Sequence, residues 1–89
     1  MNMFEERQTL VPDETAIEAV MAMVRDELMR AIMKFGSFNS PHEGYAVLAE
    51  EVDELWDEVK ANDRGRAITE AVQVAAMGAR FVLDIGRGA

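Results

Sequence analysis

Apolar residues recur at helical spacing in three segments of the chain, which predicts three helices. The first segment covers residues 13–35, where Pro12 and Asp13 suit a helix start and Gly36 suits a helix end. Its apolar positions share one face of an α-helix. This face comprises Ile17, Val20, Met21, Val24, Leu28, Ala31, Ile32 and Phe35. No segment of the chain shows a β-strand pattern of any strength.

The opposite face of this first helix is also partly apolar. It carries Ala19, Ala22, Met29 and Met33, with Met23 at its edge. An apolar second face on a small domain indicates contact with a partner subunit.

The second predicted helix follows a loop over residues 36–40. Ser40 as the N-cap, Pro41 at the first helical position and Glu43 three residues after the serine fit a capping box. The helix is expected to end at about Ala61. Its apolar stripe consists of Tyr45, Leu48, Val52, Leu55, Trp56 and Val59.

A tight turn over residues 62–65 leads into the third predicted helix, which covers residues 64–85. Its expected core face holds Ile68, Ala71, Val72, Ala75, Ala79 and Val82. The pattern therefore predicts an all-α fold with a three-helix antiparallel protomer, and oligomerisation would complete a four-helix-type core. We divide the chain into an N-terminal lead (1–12), a single helical domain (13–86) and a frayed C-terminus (87–89).

Composition narrows the classes of function. The 89 residues allow one small domain, and 9 Lys and Arg against 17 Asp and Glu give a net charge of −8. Such a balance argues against binding of a nucleic acid polymer or docking on an anionic membrane, since both need a basic face. With no cysteine and one histidine, a zinc knuckle, thiol catalysis and a Ser-His-Asp triad are not expected.

No apolar run approaches 18 residues, and residues 1–7 carry Glu5 and Glu6 rather than a basic segment. We therefore expect a cytoplasmic protein.

The second predicted helix carries an unusual excess of acidic residues. They are Glu43, Glu50, Glu51, Asp53, Glu54, Asp57 and Glu58, opposed only by Lys60. Glu51 and Glu54 are spaced to point the same way and to share one cation, and their oxygen ligands suit Mg²⁺ or Mn²⁺. If the second and third helices pack antiparallel, Glu70 faces this pair. Charge counting alone favours a plain acidic surface over a metal site.

A longer stretch of the chain resembles a known family. Residues 34–36, residues 40–56 and residues 70–77 together resemble the MazG-like nucleoside triphosphate pyrophosphohydrolases, of the all-α NTP pyrophosphatase superfamily. The resemblance covers roughly residues 28–85 and is most specific in residues 48–55. Members are small helical proteins that assemble as dimers or tetramers. Their motif is Glu-x-x-Glu, a gap, then Glu-x-x-Asp.

This resemblance implies the site residues and the reaction. Glu51 and Glu54 match the first acidic pair, as catalytic residues and metal ligands, and Glu70 matches the first acid of the second pair. Gln73 stands where the family has Asp; its carbonyl oxygen can ligate a cation but brings no charge. The implied reaction is Mg²⁺-dependent hydrolysis of a nucleoside triphosphate to the monophosphate and pyrophosphate, by a homodimer or homotetramer. Mn²⁺ is an alternative cofactor.

Further residues are candidates for contacts with the substrate. Arg30, Lys34 and Arg80 are candidates for the phosphates, and Phe38 and Asn39 in the loop for the base. Two alternative functions remain open at this point. One is a nucleotide-binding or regulatory module without turnover, motivated by Gln73. The other is a helical oligomerisation protein with an acidic surface, motivated by the second apolar face of the first helix.

Overall fold

The computed structural model describes residues 11–88, which form three α-helices and no strand. They are α1 (Glu14–Phe35), α2 (Pro41–Lys60) and α3 (Arg64–Gly86). The prediction of an all-α protomer with three helices is confirmed, and each helix begins and ends within about one residue of its expected position. Of the predicted N-terminal lead, residues 1–10 lie outside the described part of the chain, as does Ala89 at the other end.

Each helix begins at a side chain that caps it. Asp13, Ser40 and Asp63 each accept a hydrogen bond from the backbone amide three residues further on, at 3.0 to 3.1 Å. The capping box predicted for α2 forms only in part. The Glu43 carboxylate accepts hydrogen bonds from the backbone amide (3.4 Å) and side-chain amide (2.9 Å) of Asn39 instead of the backbone amide of Ser40. It therefore secures the end of the preceding loop.

The central helix is α3, which packs against both α1 and α2, whereas the backbones of α1 and α2 do not come into contact. Gly36, which follows α1, and Gly44, at the start of α2, both contact the last third of α3, through Arg80 and Phe81 respectively. α1 and α3 therefore run in the same direction and α2 runs opposite to both. Successive helices are antiparallel, as predicted.

The start of α2 lies unusually close to α3 at Gly44. A Cβ placed on this buried glycine would lie 2.6 Å from Cδ2 of Phe81 and 3.1 Å from Cδ2 of Phe38. Real Cβ atoms essentially never come as close to another atom as the first distance. Glycine therefore permits the close approach that presses the α1–α2 loop (residues 36–40) and α2 against α3.

The core of the protomer is small and differs from the predicted core of α3. The buried residues of α3 are Ala76, Met77, Arg80 and Asp84. Most of the predicted face was wrong: Ile68 and Val82 are 54% and 72% exposed, and Ala71 and Ala75 are also exposed. Of its residues, only Val72 and Ala79 are half-buried. α3 turns its more polar stripe inward, where the α1–α2 loop supplies hydrogen-bond partners for Arg80 and Asp84. Its more apolar stripe is left facing out of the protomer.

Many large apolar side chains of α1 and α2 are also exposed. On α1, only Val24 and Ala31 are buried, whereas Ile17, Val20 and Met21 lie in an exposed first half of the helix. The predicted stripe of α2 is only partly covered: Leu48 and Leu55 are half-buried, while its aromatic and β-branched members stay exposed. These exposed members are Tyr45, Val52, Trp56 and Val59.

A helix must be both long and apolar to cross a membrane. Over the part of the chain that the structure covers, no helix is both long enough and apolar enough to span a bilayer.

Candidate functional site

Three carboxylates from two helices converge at the middle of the protomer. Glu51 and Glu54 lie one turn apart on α2, and Glu70 lies on α3. One oxygen from each of the three side chains lies within 4.8 Å of the other two. We call these residues the acidic cluster. The sequence-based expectation that Glu70 faces the pair on α2 is therefore met by the geometry.

The turn between α2 and α3 explains why these residues meet. α2 ends at Lys60 and α3 begins at Arg64, so the chain reverses within a few residues. Asn62 adopts a positive φ of 58° in this turn, a conformation that asparagine tolerates better than most residues do. In such a hairpin, residues at similar distances from the turn lie side by side. Glu54 and Glu70 satisfy this condition.

The carboxylates of the acidic cluster repel one another. The pKa of the Glu51 carboxyl is raised to about 7, first by burial and then by the negative charges of Glu54 and Glu70. Burial likewise raises the pKa of Glu70, with the charge of Glu54 as the second cause. Oε2 of Glu70 is buried and has no hydrogen-bond partner. The cluster therefore holds a proton more tightly than an isolated glutamate does, and a cation would relieve the same repulsion.

A cavity of about 310 Å³ opens beside the acidic cluster, and we call it the first cavity. Its walls include all three clustered carboxylates and Gln73, together with Arg30 and Lys34 from α1. Gln73 is half-buried and lies one turn after Glu70 on α3. The four residues that the family resemblance singles out thus face one space. α1 supplies positive charge at its edge.

The two basic residues of α1 are exposed, and each makes one contact within its helix. Arg30 pairs with Glu27 one turn earlier, and its side chain is 68% exposed. The ammonium of Lys34 lies 5.0 Å from the centre of the Phe35 ring. Both side chains line the first cavity and are exposed.

Arg80, the third candidate for phosphate contact, is not among the residues that line the first cavity. It was expected on a polar flank of its helix but is 4% exposed. Its Nη2 donates a hydrogen bond to the carbonyl of Gly36 at 2.8 Å. Asp84, one turn later, accepts a hydrogen bond from the backbone amide of Phe38 at 2.9 Å. These two residues fasten the α1–α2 loop to α3.

The two candidates for base contact have different environments. Phe38 is 2% exposed, and its ring centre lies 3.9 Å from the guanidinium carbon of Arg80. Asn39 is exposed, and its side chain donates a hydrogen bond to Glu43. Phe38 thus packs as a core residue, and it also lines a second cavity. Asn39 instead supports the start of α2 through its bond to Glu43.

Sequence reasoning missed one carboxylate near this site. Glu27 on α1 lines the first cavity, and its side chain is 13% exposed. It does not belong to the group of oxygens within 4.8 Å. The signal was present in the sequence, because Glu27 falls between Val24 and Ala31 on the apolar face of the first predicted helix. An acid at such a position is commonly paired or functional.

Comparison with known proteins gave no further assignment. No family model, no curated protein and no solved structure matches the chain significantly.

Proposed function

We propose that the protein is a Mg²⁺-dependent nucleoside triphosphate pyrophosphohydrolase that releases a nucleoside monophosphate and pyrophosphate. The observation that carries this proposal is the convergence of Glu51, Glu54 and Glu70 on the first cavity. It agrees with the resemblance of residues 28–85 to the MazG-like enzymes, in which acids at these positions hold the metal.

The acidic cluster fits a hard divalent cation. Its donors are carboxylate oxygens, which Mg²⁺ and Mn²⁺ prefer. The unpartnered Oε2 of Glu70 and the raised pKa of Glu51 both indicate missing positive charge. Glu51, Glu54 and Glu70 would hold the ion, with the side-chain oxygen of Gln73 as a neutral fourth donor. When bound, the ion supplies Lewis-acid chemistry and neutralises charge on the phosphates.

The protein's own residues have two further tasks in this proposal. Glu51 and Glu54 are the catalytic carboxylates: one of them accepts a proton from the attacking water while the link between the α- and β-phosphates breaks. Both residues line the first cavity, Glu54 as an exposed side chain and Glu51 as a half-buried one. Arg30 and Lys34 balance the charge of the phosphates from the opposite side.

The proposal includes a homodimer or homotetramer. The protomer leaves Ile17, Val20 and Met21 about half exposed on α1, and these side chains surround a shallow apolar depression. Exposed apolar patches of this kind usually mark a protein interface. A second copy is the simplest partner, since it presents the same apolar residues.

The decisive experiment measures pyrophosphate release from a panel of NTPs and dNTPs, with Mg²⁺, with Mn²⁺ and with a chelator. We expect metal-dependent release by the wild type and a loss of at least about a hundredfold in Glu51→Gln and in Glu54→Gln. Asp53→Asn is the matched control, since Asp53 is an exposed acid on the same helix that lies outside the acidic cluster and does not line the first cavity. Substantial release by both cluster variants would contradict the site assignment.

Gln73 supports one alternative, a module that binds nucleotides without hydrolysing them. It lies in the first cavity and contributes no charge there. This alternative predicts thermal stabilisation by a nucleotide and metal without release of pyrophosphate. The hydrolysis assay and a thermal shift assay on the same samples separate the two functions.

A further inference from the structure

A second, larger cavity adjoins the acidic cluster. It has a volume of about 490 Å³ and shares Glu51 and Gln73 with the first cavity. Its volume is within the range of roughly 300–1,000 Å³ that is usual for small-molecule sites. The apolar part of its wall consists of Ala31, Phe35, Phe38, Val47 and Met77. A flat apolar group connected to a ligand at the acidic cluster would reach this space directly.

Arg80 lies in the wall of the second cavity with most of its hydrogen-bonding capacity unused. A guanidinium has five N–H donors. Nη2 bonds to Gly36, Nε lies 3.7 Å from Oδ2 of Asp84 without a hydrogen bond, and Nη1 reaches only the sulfur of Met77, at 3.9 Å. Sulfur is a weak acceptor. Buried polar groups are normally satisfied, so this residue indicates a missing acceptor.

The remaining walls of the second cavity determine the charge of its occupant. Four carboxylates line it, so an anion such as free phosphate or a carboxylate would be repelled. These carboxylates belong to Glu27, Glu43, Glu50 and Glu51. A neutral ring avoids this repulsion. Its N–H groups can donate hydrogen bonds to the carboxylates or to the side-chain oxygen of Gln73. The cavity thus suits a neutral ring with a carbonyl oxygen for Arg80 and an N–H group beside it.

We propose that the second cavity binds the base of the nucleotide and selects bases with a ring carbonyl next to a ring N–H, as in hypoxanthine, guanine and uracil. Nη1 of Arg80 donates to the carbonyl oxygen and gives up its contact with Met77. Adenine is disfavoured because its exocyclic amino group is a donor and would face the donors of Arg80. This inference rests on the proposed function only in that the ring belongs to a nucleotide.

Inosine and adenosine provide the sharpest test, because hypoxanthine and adenine differ only in the groups at one edge of the ring. Neither nucleoside has phosphates, so binding can be measured in chelator by saturation-transfer NMR titration without a metal or hydrolysis. We expect inosine to bind the wild type at least about tenfold more tightly than adenosine does, as for loss of one hydrogen bond to a charged group. Equal affinities, or no binding of either nucleoside, would overturn the proposal.

Two variants assign the effect to the second cavity. Arg80→Lys keeps the charge but removes the planar fork, and should abolish the preference for inosine. Since Arg80 is buried, folding of this variant must be checked by circular dichroism. Val47→Phe fills the cavity from α2 while leaving Arg80 in the sequence, and should abolish binding of both nucleosides. Val52→Phe, exposed on the same helix, is the matched control that should bind as the wild type does. Unchanged binding by Val47→Phe would overturn the assignment.

The two proposals can fail separately. A preference for inosine without any triphosphate hydrolysis would support the base site and contradict the enzymatic function. Metal-dependent hydrolysis of ITP and ATP at equal rates, with no preference between the nucleosides, would support the enzyme and overturn the base site.

Discussion

The guanidinium of Arg80 lies against the carboxylate of Asp84, with Nε 3.7 Å from Oδ2, and both side chains are at least 95% buried. This separation allows an ion pair but is too long for a hydrogen bond. The same Oδ2 accepts the backbone amide of Phe38, and Nη2 of Arg80 donates to the carbonyl of Gly36. The buried pair therefore holds the α1–α2 loop against the end of α3. Each of the two buried charges is compensated by the other.

Removing Asp84 should consequently destabilise the fold strongly. Asp84→Ala leaves the Arg80 charge buried without its counter-ion and the Phe38 amide without its acceptor, so we expect a loss of about 3 kcal/mol in the free energy of unfolding. Asp57→Ala is the control, because Asp57 pairs with Lys60 on the exposed side of α2. That change should stay within about 0.5 kcal/mol. Urea unfolding followed by circular dichroism measures both, and similar small changes would contradict the structural role of the buried pair.

Two glycines in helices should respond to alanine in opposite directions. Gly44→Ala places a Cβ 2.6 Å from the Phe81 ring, so the ring or the helix must move, and we expect a loss of about 1–3 kcal/mol in stability. Gly78→Ala meets nothing within 4 Å and should gain about 0.5–1 kcal/mol from helix propensity alone. Thermal unfolding of the two variants beside the wild type checks this. A stabilised Gly44→Ala variant would be inconsistent with the close approach of α2 and α3.

Glu51 makes the stability of the metal-free protein depend on pH. Its pKa in the folded protein is about 7, above the ordinary value of 4.5, mainly because of burial. The folded state therefore binds this proton more tightly than the unfolded state does. The resulting stabilisation is complete below pH 4.5 and is lost as the pH rises through about 7.

A neutral substitution tests this dependence. In chelator, Glu51→Gln keeps an uncharged side chain at every pH, so its stability relative to the wild type should increase between pH 4.5 and pH 8. Denaturant midpoints across this interval provide the measurement, and Asp53→Asn controls for removal of an exposed charge on the same helix. With Mg²⁺ present we expect the opposite order at pH 8, because only the wild type keeps the full cluster for the ion. A difference that does not change with pH would refute the assigned pKa.

The exposed face of α1 predicts self-association. Val20 and Met21 are 52% and 56% exposed in the protomer. Replacing both by Glu should convert an oligomer to a monomer, because a buried interface would then have to desolvate two charges. Arg25→Glu, a charge change at an exposed position of the same helix, should leave the assembly intact. Light scattering coupled to size exclusion measures the mass, and a wild type that is already monomeric would contradict the proposed assembly.

The helices could be predicted from the sequence because their signals are local. The caps at Asp13, Ser40 and Asp63 and the spacing of apolar residues determine where each helix begins and ends. Glu51 and Glu54 share a helix face for the same local reason, and a short turn is enough to bring Glu70 beside them. These features required no knowledge of how distant parts of the chain pack.

The inward face of α3 could not be predicted in this way. Apolar content favoured the stripe that contains Ile68 and Val82, yet α3 buries Arg80 and Asp84. These polar residues can be buried because backbone groups of Gly36 and Phe38 form hydrogen bonds with them. Gly36 and Phe38 lie more than 40 positions away in the chain. The same limit applies to the second cavity, which exists only once the loop and three helices are assembled. Polar residues satisfied by distant backbone leave no periodic signal in a sequence.

Gln73 provides the last test, since it is the one neutral member of the family-like donor set. Gln73→Asp would add a fourth carboxylate facing the first cavity, and we expect about tenfold tighter Mn²⁺ binding, because affinity for hard cations rises with the charge of the ligand set. Thr69→Asp adds the same charge to α3 at an exposed position that does not line the first cavity, so it is the matched control. Calorimetric titration with Mn²⁺ measures both variants. If the natural protein binds nucleotides without hydrolysing them, Gln73→Asp should also gain pyrophosphate release, whereas unchanged Mn²⁺ affinity would place Gln73 outside the donor set.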